Sequence, residues 1–145
     1  MNFSAYAQCK RKKNIMWTQL ILAIIAIESG GDNRAIGDNG NAYGCLQIWQ
    51  CYVQDANEFS GNSYTHEDAF DRNKSAAIFT AYMKRYATIK RLGHAPTAED
   101  IARIHNGGPN GYRKAATDGY WAKVKAELHR MGEHDLANGK VGFGL

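Results

Sequence analysis

The chain has 145 residues, 44% hydrophobic and 22% charged, which fits one domain with a substantial core. This excludes a disordered tail, a repeat array and a multidomain enzyme. The net charge of +4 does not mark a nucleic-acid binder, because Lys10, Arg11, Lys12 and Lys13 account for it and the chain beyond residue 13 holds 14 basic and 14 acidic residues. That remainder is polarised: residues 14–80 carry three basic residues and eight acids (−5), residues 81–145 eleven and six (+5).

Lys10–Lys13 followed by Ile15–Ile27 has the outline of a signal peptide, a positive region and then an apolar one. The apolar run is shorter than the ~20 residues that span a bilayer, and no small-x-small cleavage site follows it. The expectation is a basic tail over 1–13 and a buried helix over 14–28, capped by Asn14 and ended by Gly30-Gly31. Residues 30–44 are rich in Gly, Asn and Asp, which is loop and turn chemistry. Leu46, Ile48, Trp49, Tyr52, Val53 and Phe59 mark a buried segment running into a helix. Thr65 and Asp68 signal a cap, opening a long helix from His66 to Leu92 on the 3–4 spacing of Ile78, Phe79, Tyr82, Met83 and Tyr86. Thr97 with Asp100 caps a short helix that His105–Pro109 interrupts, and Asp118 caps a last one bearing Tyr120, Trp121, Val124 and Leu128. The glycine-rich segment 132–145 is expected to fray. The class is mainly α, with at most a small β element near 36–48, and a main domain over 14–131. Trp17, Trp49 and Trp121 are assigned to the core.

Cys9, Cys45 and Cys51 are too few for a disulfide framework and lack metal-site spacing. Three free thiols are expected, although a single Cys45–Cys51 bridge stays open. No metal or cofactor is implied.

Glu28 is the first ionisable group after the apolar run. Desolvation and the negative end of its helix would both raise its pKa. A carboxylic acid kept protonated near neutral pH can protonate a leaving glycosidic oxygen. The plainer alternative is a solvated residue at a helix end.

Several segments carry a family resemblance. Glu28-Ser29-Gly30-Gly31, then Ala35–Asp38, then Tyr43-Gly44-Cys45-Leu46-Gln47-Ile48 resemble the first catalytic motif of the lysozyme-like superfamily. Tyr82–Tyr86, Ala102–Gly111 with its Asn-Gly-Gly-Pro-Asn-Gly block, and Gly119–Val124 resemble the invertebrate-type lysozymes, over residues 16–126 in matching order. The resemblance implies a peptidoglycan muramidase. Its fold would be a helical lobe, a small β-containing lobe and a cleft between them. Glu28 falls on the family's catalytic acid, Asn106 and Gly107 on the loop opposite, and Tyr43 and Gln47 on the flanking segment. The animal enzymes are disulfide-rich, whereas Asp32 and Tyr112 stand here at cysteine positions. That departure suits a bacterial or bacteriophage protein folded in a reducing cytoplasm.

The loop from Gly37 to Gly44 is shorter than in the animal enzymes, and the second catalytic carboxylate belongs there. Asp38 is the nearest acid and Asp32 the other candidate; Asp38-Asn39-Gly40 could equally be only a turn former. Two carboxylates, one neutral and one ionised, are the standard glycosidase equipment. His105 could bond sugar groups or pack as a loop-holding histidine, and Ser29 could orient Glu28 or cap the helix. Tyr43 and Tyr112, beside glycine-rich loops, are expected in the cleft. A lytic transglycosylase giving 1,6-anhydro products is the competing enzyme, and a non-catalytic wall-binding module the competing non-enzyme. The only partner implied is the peptidoglycan substrate, with no nucleic acid and no integral membrane association, and the chain is expected to be a monomer. It would act on the bacterial wall after leaving the cytoplasm by a route other than a signal peptide.

Overall fold

The computed structural model describes residues 2–145. Helix α1 runs Phe3–Ser29, 27 residues and the longest element. Its N-cap is Asn2, whose side chain accepts from the Ala5 N–H, so the basic stretch is helical and Asn14 is an interior residue. The reason is local: residues 3–13 contain no glycine or proline and carry several strong helix formers. Leu20, Ile21, Ala23, Ile24 and Ile25 are buried on successive faces, which makes the second half of α1 the central helix. Gly30, at φ +64, ends it.

Strands β1 (Ile36–Gly37) and β2 (Ala42–Tyr43) form a minimal antiparallel hairpin around a 3₁₀ turn, Asp38–Gly40, and Tyr43 also bridges Ile48. Helix α2 (Gln50–Ser60) follows and packs on α3 (Arg72–Tyr86).

The single helix expected over 66–92 is three pieces: a 3₁₀ turn His66–Phe70, α3, and a short α4 (Ile89–Leu92). Two caps cut it. Asp71 accepts from the Lys74 N–H to start α3, and Thr88 accepts from the Arg91 N–H to start α4. The Thr65/Asp68 capping box is present but opens only the 3₁₀ turn.

Helix α5 (Ala98–Gly107) starts at the Thr97/Asp100 capping box and continues through His105, ending at Gly108 rather than before it. Helix α6 (Asp118–Arg130) packs on α1 and α5. Its N-cap residue is Thr117, and Asp118 is its first helical residue.

The C-terminal segment is docked, not frayed. A short α7 (His134–Ala137) buries Leu136 and Ala137, and Phe143 is buried edge-on against Trp17 with ring centroids 5.2 Å apart. The core joins α1, α2, α3, α5 and α6 through Leu20, Ile24, Val53, Phe79, Met83, Ile101, Ile104 and Leu128. Trp17 and Trp121 pack at its margin. Trp49 and Phe59 depart from the expected burial, being 44% and 50% exposed. All three cysteines are free, with Cys45 buried and Cys9 and Cys51 exposed. Among the described residues no helix is long and apolar enough to cross a membrane.

Candidate active site

An open cavity of about 390 Å³ lies where the end of α1, the hairpin turn and the start of α2 face α3 and the end of α5. From one side it is lined by Glu28, Asp38, Gln47, Trp49 and Tyr52, and from the other by Tyr82, His105, Asn106 and Pro109. Cys51, Asp55 and Gly108 complete it. Three acids and no lysine or arginine line the cavity. The basic half of the chain therefore does not supply a cationic wall. Its arginines are engaged elsewhere: Arg91 holds the carbonyls of Tyr86 and Pro109, and Arg103 pairs with Glu99 and Asp118.

Glu28 sits on the last turn of α1, carried to the cavity by the apolar face behind it. Burial pushes its carboxyl up from 4.5 to about 7. A hydrogen bond from the Tyr120 hydroxyl pulls it part of the way back, and the nearby Asp38 raises it further. That bond is poorly formed. The Tyr120 hydroxyl, on α6, is buried and has no well-formed hydrogen bond among the described residues, so its hold on Glu28 is weak.

Asp38 occupies the hairpin turn at φ +49, followed by Asn39 at φ +55. Aspartate and asparagine tolerate this left-handed region better than other non-glycine residues. The turn exposes the Asp38 carboxylate to the cavity, where Oδ2 accepts from the Trp49 indole N–H at 3.1 Å. Asp32 lies outside the cavity and accepts from the Arg34 backbone N–H.

Gln47, also left-handed at φ +51, donates through Nε2 to the carbonyls of Ala35 and Gly44. It thereby fixes the hairpin while lining the cavity. Its Oε1 lies 2.2 Å from where a Cβ on Gly37 would stand, so a side chain there would push the Gln47 amide out of place.

Both ring nitrogens of His105 are engaged by protein. Nε2 donates to the Leu46 carbonyl at 2.9 Å, which leaves Nδ1 to accept from the Tyr52 hydroxyl at 3.0 Å. Burial lowers its pKa from 6.5 to about 4, so the ring is neutral. This favours the loop-holding role over sugar bonding. Asn106 is exposed at the cavity, and no hydrogen bond ties its side chain among the described residues.

Four expected site residues lie away from the cavity. Tyr43 stacks between His66, at 3.7 Å between ring centroids, and Phe70, on the opposite side of the hairpin. The β2 pleat turns it there, since its neighbour Ala42 faces inward. Tyr112 bonds the Arg91 carbonyl and lies under the Arg91 and Arg113 guanidiniums. The Ser29 hydroxyl donates to the Cys45 carbonyl at 2.9 Å and accepts from the Gly31 N–H, tying α1 to the hairpin. Gly107 faces Thr117, whose methyl leaves no room for a Cβ.

Sequence reasoning missed Tyr52 and Tyr82, and it weighed Trp49 as a sugar-stacking ring but assigned it to the core. Period-2 alternation was the available signal for Trp49: Ile48 is fully buried, so its successor points the other way.

A helical body with a small hairpin lobe, and a shielded carboxyl and an exposed one lining the same open cleft, defines the lysozyme-like class. The chain matches the Destabilase family over residues 18–127 and belongs to it. It is 50% identical over 113 residues to a lysozyme of Meretrix lusoria, covering 77% of this chain and 89% of that protein. It is 37% identical over 113 residues to Lysozyme 1 of Crassostrea virginica, covering 75% of this chain and 58% of that longer protein. In space it superposes on inhibitor-bound lysozyme from Meretrix lusoria with a TM-score of 0.66, over 81% of this chain and 93% of that one. Residues paired in space are 30% identical.

Proposed function

We propose that the chain is a peptidoglycan muramidase that hydrolyses the β-1,4 bond between N-acetylmuramic acid and N-acetylglucosamine, with Glu28 as general acid and Asp38 as second carboxylate. The observation that carries this reading is the Glu28 carboxyl, held at about 7 in an open cleft that also presents Asp38. Glu28 gives its proton to the glycosidic oxygen, and the C1–O bond breaks with its electron pair leaving on that oxygen. The Asp38 carboxylate stabilises the oxocarbenium-like centre or bonds to C1. Water then adds at C1 and returns a proton to Glu28. Asp38 is preferred to Asp32 because it lines the cavity and raises the Glu28 pKa, whereas Asp32 does neither. Asn106, free at the cavity wall, bonds the sugar.

The three free cysteines support a bacterial or bacteriophage chain made in a reducing cytoplasm. We read it as a monomer that reaches the wall by release or a separate export route. Glu28→Gln is expected to lower release of reducing ends from peptidoglycan by a thousandfold or more, while the fold is retained. Unchanged release would overturn the assignment. Product analysis separates the two enzymes: free muramic acid ends mark the hydrolase, and 1,6-anhydromuramic ends would mark a lytic transglycosylase.

A further inference from the structure

Trp49 holds a large apolar ring 44% exposed at the cavity, and the chemistry above gives it no role. Its backbone is fixed from both sides. Ile48 is locked in the bridge to Tyr43, and the Trp49 carbonyl accepts the N–H groups of Tyr52 and Val53, the first turn of α2. Asp38 stands on the opposite kind of support, a three-residue turn with two successive left-handed residues. Among the described residues the Trp49 indole is the only side chain that donates to the Asp38 carboxylate. The bond therefore runs from a rigid element to a strained one and selects one orientation of the carboxylate. It occupies Oδ2 and leaves Oδ1 without a protein donor. It also fixes the indole plane at the cavity wall, where an aromatic face can cover the apolar C–H face of a sugar ring.

We propose that Trp49 is a positioning residue for Asp38 and, through its open ring face, a stacking platform for an N-acetylhexosamine in the cleft. This rests on the reading of Asp38 as second carboxylate, so the experiment separates the two. Full-length Trp49→Phe keeps an aromatic face but loses the N–H donor. It is expected to lower kcat on chitooligosaccharides about tenfold, with KM within about twofold, because a hydrogen bond to a charged group is lost. Trp49→Ala is expected to lower kcat as much and also to raise KM several-fold.

A spectroscopic signature follows the pair itself. In ¹H–¹⁵N spectra, the indole resonance that Trp49→Phe removes should move upfield in Asp38→Gly, a substitution that tolerates the positive φ. The Trp17 indole resonance, bonded to Thr80, should stay in place. Wild-type kcat in Trp49→Phe, or an unmoved Trp49 resonance in Asp38→Gly, would overturn the positioning role. An unchanged KM in Trp49→Ala would overturn the platform. If Glu28→Gln is inactive while Trp49→Phe matches wild type, the proposal fails and the muramidase reading stands. If Glu28→Gln and Asp38→Gly both keep wild-type activity, the muramidase reading itself fails.

Discussion

Glu28 and His105 line the same cavity and are both desolvated, yet burial moves them in opposite directions. Glu28 holds its proton up to about 7 against 4.5 when unfolded, so between those values the native state binds more protons. Its contribution is fully present below 4.5 and is lost as pH rises through 7. His105 loses its proton down to about 4 against 6.5 when unfolded, so the native state binds fewer. Its contribution is fully present above 6.5 and is lost as pH falls through 4. Each span corresponds to about 3 kcal/mol at most. The two nearly cancel between pH 4 and 7, which lets the site keep a protonated acid without a steep loss of stability. Glu28→Gln removes one side of this balance. The variant is expected to gain stability over wild type progressively as pH rises from 4.5 through 7, by up to about 3 kcal/mol, as read from urea unfolding at a series of pH values. Parallel pH curves for the two proteins would contradict the shift at Glu28.

Among the elements, the hairpin depends most on close approach of backbone. Gly44 adopts φ +78, and a Cβ there would lie 1.9 Å from the Ala69 carbonyl oxygen, which is backbone and cannot swing aside. Gly40, in the same hairpin at φ +90, has open space around it. Gly44→Ala is therefore expected to cost ~3 kcal/mol or more by steric overlap added to left-handed strain, and Gly40→Ala only ~1 kcal/mol from the strain. Thermal unfolding of the pair checks this, and equal losses would refute the packing argument.

The same contrast explains what was legible in the sequence. The central helix, the Thr97/Asp100 cap and the small hairpin near 36–48 follow from local pattern and turn chemistry. The breaks at Asp71 and Thr88 do not, because a capping residue inside an apolar 3–4 pattern looks like a surface position of one helix. Glu28, Asp38, Gln47, His105 and Asn106 are brought together at the cavity. Tyr43 and Tyr112 are not, since both border glycine-rich loops but only tertiary packing decides which side of a loop an aromatic ring takes.

At the scale of the whole molecule, charge and catalysis are separated. The cavity is lined by three acids and no lysine or arginine, so attraction to an anionic wall polymer must come from elsewhere on the surface. The first turns of α1 are the strongest cationic feature: Lys10, Arg11, Lys12 and Lys13 are all exposed, and among the described residues none forms an ion pair. The family match begins only at residue 18, and the core contacts of α1 begin near Met16. Deleting residues 2–13 leaves Asn14 in place to cap the shortened helix. The truncated chain is expected to cleave small uncharged chitooligosaccharides at the wild-type rate. On intact walls it should lose activity at low salt, where four charges act over a Debye length of ~10 Å or more, and match wild type near 0.5 M salt, where they are screened. Rates on both substrates across a salt series test this. A salt-independent loss on walls would show that the arm acts by shape, and a large loss on small oligosaccharides would place it within the catalytic fold.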